Sequence, residues 1–269
     1  MKFPKLAACA LLSAIPLGSQ PQTGEKDRLT FEVASVKPST SLSLGGILRT
    51  MPGNQRYHGE NMPLRTMMTV AYSVTDRQIG GGPDWMATDR FDIEAKASRP
   101  RTAAELDVML QHLLEDRFQL KLRHEKREEP AYLLTVAKAG PKMPAHDPAD
   151  NDYPPIGGST LRSADGSICP GLAGRNVTIG YFAFVLSRMM DRQVVDMTAL
   201  PARYDFVLHF VPDDQRLRSG PDSGALRTFM PDCGDIYSAL AAQLGLRLEK
   251  GRGLVEYLVV EHVEKPAGN

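Results

Sequence analysis

Apolar and polar positions follow two rhythms along this chain, and the order of the rhythms occurs twice. Leu64, Met67, Met68, Ala71 and Tyr72 are spaced i, i+3, i+4, i+7, i+8 and predict a helix over residues 64–74. Ile179, Phe182, Ala183, Leu186 and Met190 form a similar stripe. The surrounding stretches, 61–79 and 176–194, align without a gap 115 residues apart, from Asn61 and Asn176 to Ile79 and Val194. Each closes on Asp-Arg-Gln and an aliphatic residue. Further on, Phe91, Ile93, Ala95 and Ala97 alternate with Asp92, Glu94 and Lys96, which reads as a strand with one buried face. Arg90-Phe91-Asp92-Ile93 returns as Arg203-Tyr204-Asp205-Phe206. A capping box, Thr102 with Glu105, opens a second helix with Leu106, Met109, Leu110, Leu113 and Leu114 inward. Its counterpart is Asp235 ahead of Ile236, Ala239, Leu240 and Leu244.

Each copy is expected to close on a pair of strands. In the first these are 118–125 and 131–138 around a Glu128-Glu129-Pro130 turn; in the second, 246–250 and 254–262 around Gly251-Arg252-Gly253. Upstream, a strand is expected over 29–37 and two short ones over 45–50 and 55–58, with a turn at 51–54. Few helices among adjacent strands argue for an α+β fold rather than an alternating parallel sheet. The reading is a tandem duplication of a unit with antiparallel strands and two helices packed on one sheet face. The lobes span 28–139 and 159–269, joined by a Pro/Asp/Gly-rich linker at 140–158. Asn61 and Asn176 precede the matched helices and read as N-caps. The repeated Arg90/Asp92 and Arg203/Asp205 read as structural ion pairs or caps.

The N-terminus changes the picture. Residues 1–5 are basic, 6–18 are apolar, and small polar residues follow. That is the layout of a secretory signal peptide, assigned to residues 1–20, so the protein is expected to be exported. Leu6-Ala7-Ala8-Cys9 spells a lipoprotein box, but the apolar run continues past Cys9; a lipid or signal anchor is the alternative. No other stretch approaches membrane-spanning length. Two cysteines remain after cleavage, Cys169 and Cys233, and in an oxidising compartment they predict a disulfide, with two buried thiols as the alternative. A formal net charge of +0 argues against a nucleic-acid binder that relies on a global field.

Candidate chemistry is sparse. The histidines, His58, His112, His124, His146, His209 and His262, stand in no metal-binding spacing, and no cofactor or metal is expected. There is no Gly-x-Ser-x-Gly elbow. Gly80-Gly81-Gly82-Pro83-Asp84-Trp85 is the most conspicuous loop, yet no Lys-Ser/Thr follows it and it leads to a strand, so it does not read as a phosphate loop. These six residues are the candidate binding site.

Several phrases carry a resemblance: Phe31-Glu32-Val33-Ala34-Ser35-Val36-Lys37-Pro38, Gly81-Gly82-Pro83-Asp84-Trp85, Leu113-Leu114-Glu115-Asp116-Arg117-Phe118 and Glu261-His262-Val263-Glu264-Lys265-Pro266. With them the chain resembles the soil-associated family of exported bacterial proteins best known from Acidobacteria, whose domain has no assigned function. The half-unit pattern is also similar to the secretin and TonB short N-terminal domain. The resemblance implies export and an α+β build, and it supplies no catalytic residues. The expected function is a non-catalytic module that binds an envelope protein or peptide, by strand addition near the glycine loop. The alternative is a secreted hydrolase with a carboxylate/histidine site between the lobes.

Overall fold

The computed structural model describes residues 28–43, 45–50, 55–147, 156–212 and 229–266. The expected signal peptide, Cys9, the expected 51–54 turn and residues 213–228 lie outside them. In chain order the N-terminal half, called the first lobe below, contains β1 (Val33–Pro38), β2 (Ile47–Thr50), β3 (Arg56–Pro63), α1 (Leu64–Ala71), β4 (Ile79–Gly81), α2 (Trp85–Thr88), β5 (Arg90–Lys96), α3 (Ala103–Phe118) and β6 (Lys121–Val136). The second contains β7 (Ile156–Arg162), β8 (Ile168–Thr178), α4 (Ile179–Met189), β9 (Val194–Asp196), β10 (Arg203–His209), α5 (Ile236–Ala239), which runs into a π-turn over Leu240–Leu244, and β11 (Leu246–His262). The fold is α+β with several antiparallel pairings, and no helix among the described residues is long and apolar enough to cross a membrane.

The strands form three sheets: β1-β5-β3-β2, β10-β8-β7 and a central β4-β11-β6-β9. The outer sheets share a detail that fixes their register. β3 bulges between Gly59 and Met62, which face Ile93 and Phe91 of β5. β8 bulges between Gly174 and Val177, which face Phe206 and Tyr204 of β10. Asn61 and Asn176 sit in these bulges with φ of 55° and 56°, in the left-handed region that asparagine tolerates better than most residues. They are therefore not helix caps. The cap positions are Pro63 for α1 and Thr178 for α4, and the Thr178 hydroxyl accepts from the Tyr181 N–H. Nor do the repeated Arg and Asp pair with each other. Asp92 accepts the Asn61 N–H at 2.9 Å and Asp205 the Asn176 N–H at 2.8 Å. Arg90 and Arg203 donate to the carbonyls of the same asparagines, each at 3.0 Å.

The central sheet corrects the two expected hairpins. β6 and β11 are single strands of 16 and 17 residues, and they pair antiparallel with each other from Val136–Leu246 to Leu122–Val260. Pro130 faces Arg252 and Glu129 faces Gly253 in mid-ladder. The glycines are present for close packing, not for a turn. A Cβ at Gly251 would lie 2.7 Å from Leu133 Cδ1, and one at Gly253 would lie 2.9 Å from Val195 Cγ2. The outer strands join in parallel, β4 on β11 (Ile79 opposite Leu258) and β9 on β6 (Val194 opposite Tyr132). If Ile79 and Val194 are equivalent, this register matches Tyr132 to Leu258.

The cores follow from this ribbon. The first packs α1, α3 and the apolar faces of β3 and β5, and it takes Leu258 and Val260 from β11. The second packs α4, α5, β8 and β10, and it takes Tyr132 and Leu134 from β6 and Met143 from the expected linker. Each buried aliphatic contributes about 1.5–3 kcal/mol relative to exposure. The lobes thus complete one another's interiors.

Candidate functional site

The glycine loop is placed first. Gly80 and Gly81 belong to β4, and Gly81 and Gly82 have φ of 72° and 78°, which lets the chain leave the sheet tightly. A Cβ at Gly82 would lie 2.4 Å from the sulfur of Met86. Pro83 and Asp84 lead into the short helix α2, which was not expected from sequence. Trp85 is half-buried. Its ring stacks on Phe118 at 6.3 Å between centroids and meets Phe91 edge-on at 6.4 Å. Lys265 lies 5.7 Å above the Trp85 ring and pairs with Asp89 at 2.7 Å. The loop is a turn that seats Trp85 as a cover on the first core.

Cys169 and Cys233 are joined, with Cα atoms 5.6 Å apart, and they form a small third cluster with Val211, Phe229 and Met230. This bond ties β8 to the segment just ahead of α5.

Four of the six histidines face carboxylates across or along strands, such as His124 and Glu256 at 2.6 Å and His146 and Asp205 at 2.7 Å. Burial alone would raise the Asp205 carboxyl. The bonds from the Asn176 N–H and His146 outweigh it and hold the carboxyl below its ordinary value. Among the described residues no group of three His, Cys, Asp or Glu could hold a metal. One contact was not anticipated: Ser159 Oγ lies 3.1 Å from His209 Nε2. Gly171 faces both residues in the ladder, and a Cβ there would lie 2.9 Å from His209 Cδ2.

The lobes meet through their echoed Asp-Arg-Gln motifs. Arg77 donates to the Asp191 carbonyl at 2.7 Å, and the Gln193 amide donates to Thr75 Oγ1 at 2.5 Å. Nearby, Tyr132, Leu186, Met189, Met190, Asp191, Phe210, Pro212, Ile236 and Tyr237 line a pocket of about 290 Å³. The hydrogen bond with Tyr237, then burial, and to a lesser degree Asp191, raise the Tyr132 hydroxyl well above the usual phenol range. Sequence reasoning assigned Met190 to a core stripe and gave no sign of the pocket. Its residues come from four separate stretches, so no local spacing announces it.

Sheet edges are the other exposed chemistry. Three of them carry contacts to outward backbone groups: Arg65 donates to the Ile79 carbonyl of β4 at 2.6 Å, and the Val194 N–H of β9 donates to Ser187 Oγ at 2.8 Å. Along β10 the Asp205 N–H donates to the Pro144 carbonyl and the Arg203 carbonyl accepts from the His146 N–H. The Gln243 amide brackets His209 as a strand would, accepting from its N–H at 2.9 Å and donating to its carbonyl at 2.8 Å. β7 differs. Its residues are Ile-Gly-Gly-Ser-Thr-Leu-Arg, no described residue pairs with its outer side, Gly157 and Gly158 face open space, and Leu161 is 50% exposed.

No curated protein and no solved structure matches this chain. A family match covers residues 65–263, from the first turn of α1 to just past the end of β11. The chain belongs to the DUF3738 family of proteins of unknown function.

Proposed function

We propose that this protein is an exported, non-catalytic module of the bacterial cell envelope that binds a protein or peptide by adding a strand to β7. The observation that carries this reading is the state of that edge. β7 is seven residues long, with no proline or lysine and one charge, Arg162, so it lacks the devices that keep edges from pairing. The strands β4, β9 and β10 already have partners for outward backbone groups. An extended segment could form a ladder on β7, with Leu161 as an apolar contact. Export is supported by the leader pattern at residues 1–20, and the half-unit similarity to the secretin and TonB short N-terminal domain fits an envelope partner.

A photo-crosslinking residue at Arg162, in the protein expressed with its leader, tests this. The expected adduct joins β7 to an extended segment of one envelope protein. Adjacent strand residues point their N–H groups to opposite sides, so of Thr160→Pro and Leu161→Pro one spares the β8 ladder. The variant that keeps the native circular dichroism should lose the adduct. An adduct that persists in that variant, or none at all, refutes strand addition.

The hydrolase alternative has one observation in its favour, the Ser159–His209 contact. That pair lies on a sheet face within the second lobe, not between the lobes, and among the described residues no carboxylate orients the His209 ring. Turnover of an ester substrate that Ser159→Ala abolishes would establish it.

A further inference from the structure

The pocket of the second lobe carries chemistry that strand addition does not use. At about 290 Å³ it is close to the lower size limit for small-molecule sites. Three of its walls are aromatic: Tyr132, Phe210 and Tyr237, the first and last meeting edge-on with centroids 6.0 Å apart. Two more are the thioethers of Met189 and Met190, and Met189 is 46% exposed at the mouth. The polar side chains that line it are two phenols and the Asp191 carboxylate; no Lys, Arg or His does. Two cations approach the same turn from outside the lining. Arg77 donates to the Met190 and Asp191 carbonyls, at 3.3 and 2.7 Å. Arg192 Nε lies 3.6 Å from Asp191 Oδ2, with side chains 43% and 69% exposed, a pair too solvated to neutralise the carboxylate.

We propose that this pocket binds a small organic cation of the alkylated-ammonium class. Aromatic faces attract a cation through their quadrupole, and polarisable sulfur packs well against its alkyl groups. Asp191 supplies the counter-charge at the turn. An anion would meet the same ring faces and the same carboxylate and be repelled. A neutral ligand of equal shape would gain the apolar contacts and nothing from Asp191.

Choline and its uncharged carbon isostere, 3,3-dimethylbutan-1-ol, separate charge from shape. With the methionine methyl groups labelled with carbon-13, Met189 and Met190 report on the pocket and the remaining methionines serve as internal controls. Choline should shift the Met189 and Met190 signals saturably, with the isostere about tenfold weaker. Asp191→Asn should weaken choline several-fold and leave the isostere unchanged, and Tyr237→Leu should weaken choline further. Asp191 lies on an exposed turn, so its variant decides the matter if Tyr237→Leu does not fold. Equal affinity for the two probes, shifts confined to other methionines, or no saturable shift with choline overturns the proposal.

Discussion

Asp92 and Asp205 each hold a left-handed asparagine by its backbone N–H, at 2.9 and 2.8 Å, one in each lobe. In both places the arginine two residues earlier takes that asparagine's carbonyl. A buried or half-buried N–H that loses a charged acceptor costs about 1.5–3 kcal/mol. Asp92→Ala and Asp205→Ala are each expected to lower the free energy of unfolding by about 2 kcal/mol, read from denaturant midpoints. The Asp205 carboxyl lies below its ordinary value, so its contribution is present above the unfolded value of about 3.9 and is lost as pH falls through the folded value. Asp205→Asn should flatten that acid limb.

Asp107 on α3 gives a slope of the opposite sign. Burial pushes its carboxyl up to about 7. The folded state therefore binds a proton that the unfolded state has released between about pH 4 and pH 7, and stability falls as pH rises through that window. Its side chain is partly exposed, so the expected loss is about 1–2 kcal/mol. Urea unfolding at several pH values should show the decline, and Asp107→Asn should remove it.

The Cys169–Cys233 bond closes a 64-residue separation. The chain-entropy relation assigns such a loop about 4 kcal/mol. Denaturation with and without reductant should differ by an amount of that order, and the double serine variant should unfold like the reduced protein.

Gln119 ends α3 and Gly245 ends the π-turn that follows α5, both in the left-handed region, with φ of 49° and 67°. A side chain at Gly245 would place Cβ 2.0 Å from the Gly140 carbonyl oxygen, which is backbone and cannot swing away. Gly245→Ala should be strongly destabilising, by more than about 2 kcal/mol. Gln119→Gly should stabilise by about 1 kcal/mol. Thermal midpoints of the two variants should move in opposite directions.

Trp85 is the single tryptophan and covers the first core between Phe91 and Phe118. Trp85→Ala is expected to cost about 3 kcal/mol by cavity formation. In the wild type its fluorescence should report unfolding of the first lobe, and a far-UV signal that changes at the same denaturant concentration would show that the second lobe unfolds with it.

The pattern along the chain was enough to read the α+β class, the long helices over α1, α3 and α4, and the capping box at Thr102. What escaped the sequence was settled by distant partners. Pro130 and the Gly251/Gly253 pair carry local turn chemistry, but each strand finds the other as its mate and runs straight through. Asn61 and Asn176 look like caps because helices follow closely, and only the Asp and Arg from β5 and β10 reveal the bulges. The glycine loop drew attention for its composition, and its glycines turned out to serve a turn and close packing. β7 and the pocket stayed hidden for the same reason: an edge and a cavity are defined by what other segments do.

The shared ribbon has a consequence for synthesis. Leu258 and Val260, which finish the first core, lie near the C-terminal end of the described chain. A ribosome releases the first lobe's helices long before those residues emerge, so that lobe must wait with an open interior until β11 has been made. Truncation ahead of Leu258 should therefore damage the half of the protein that was made first.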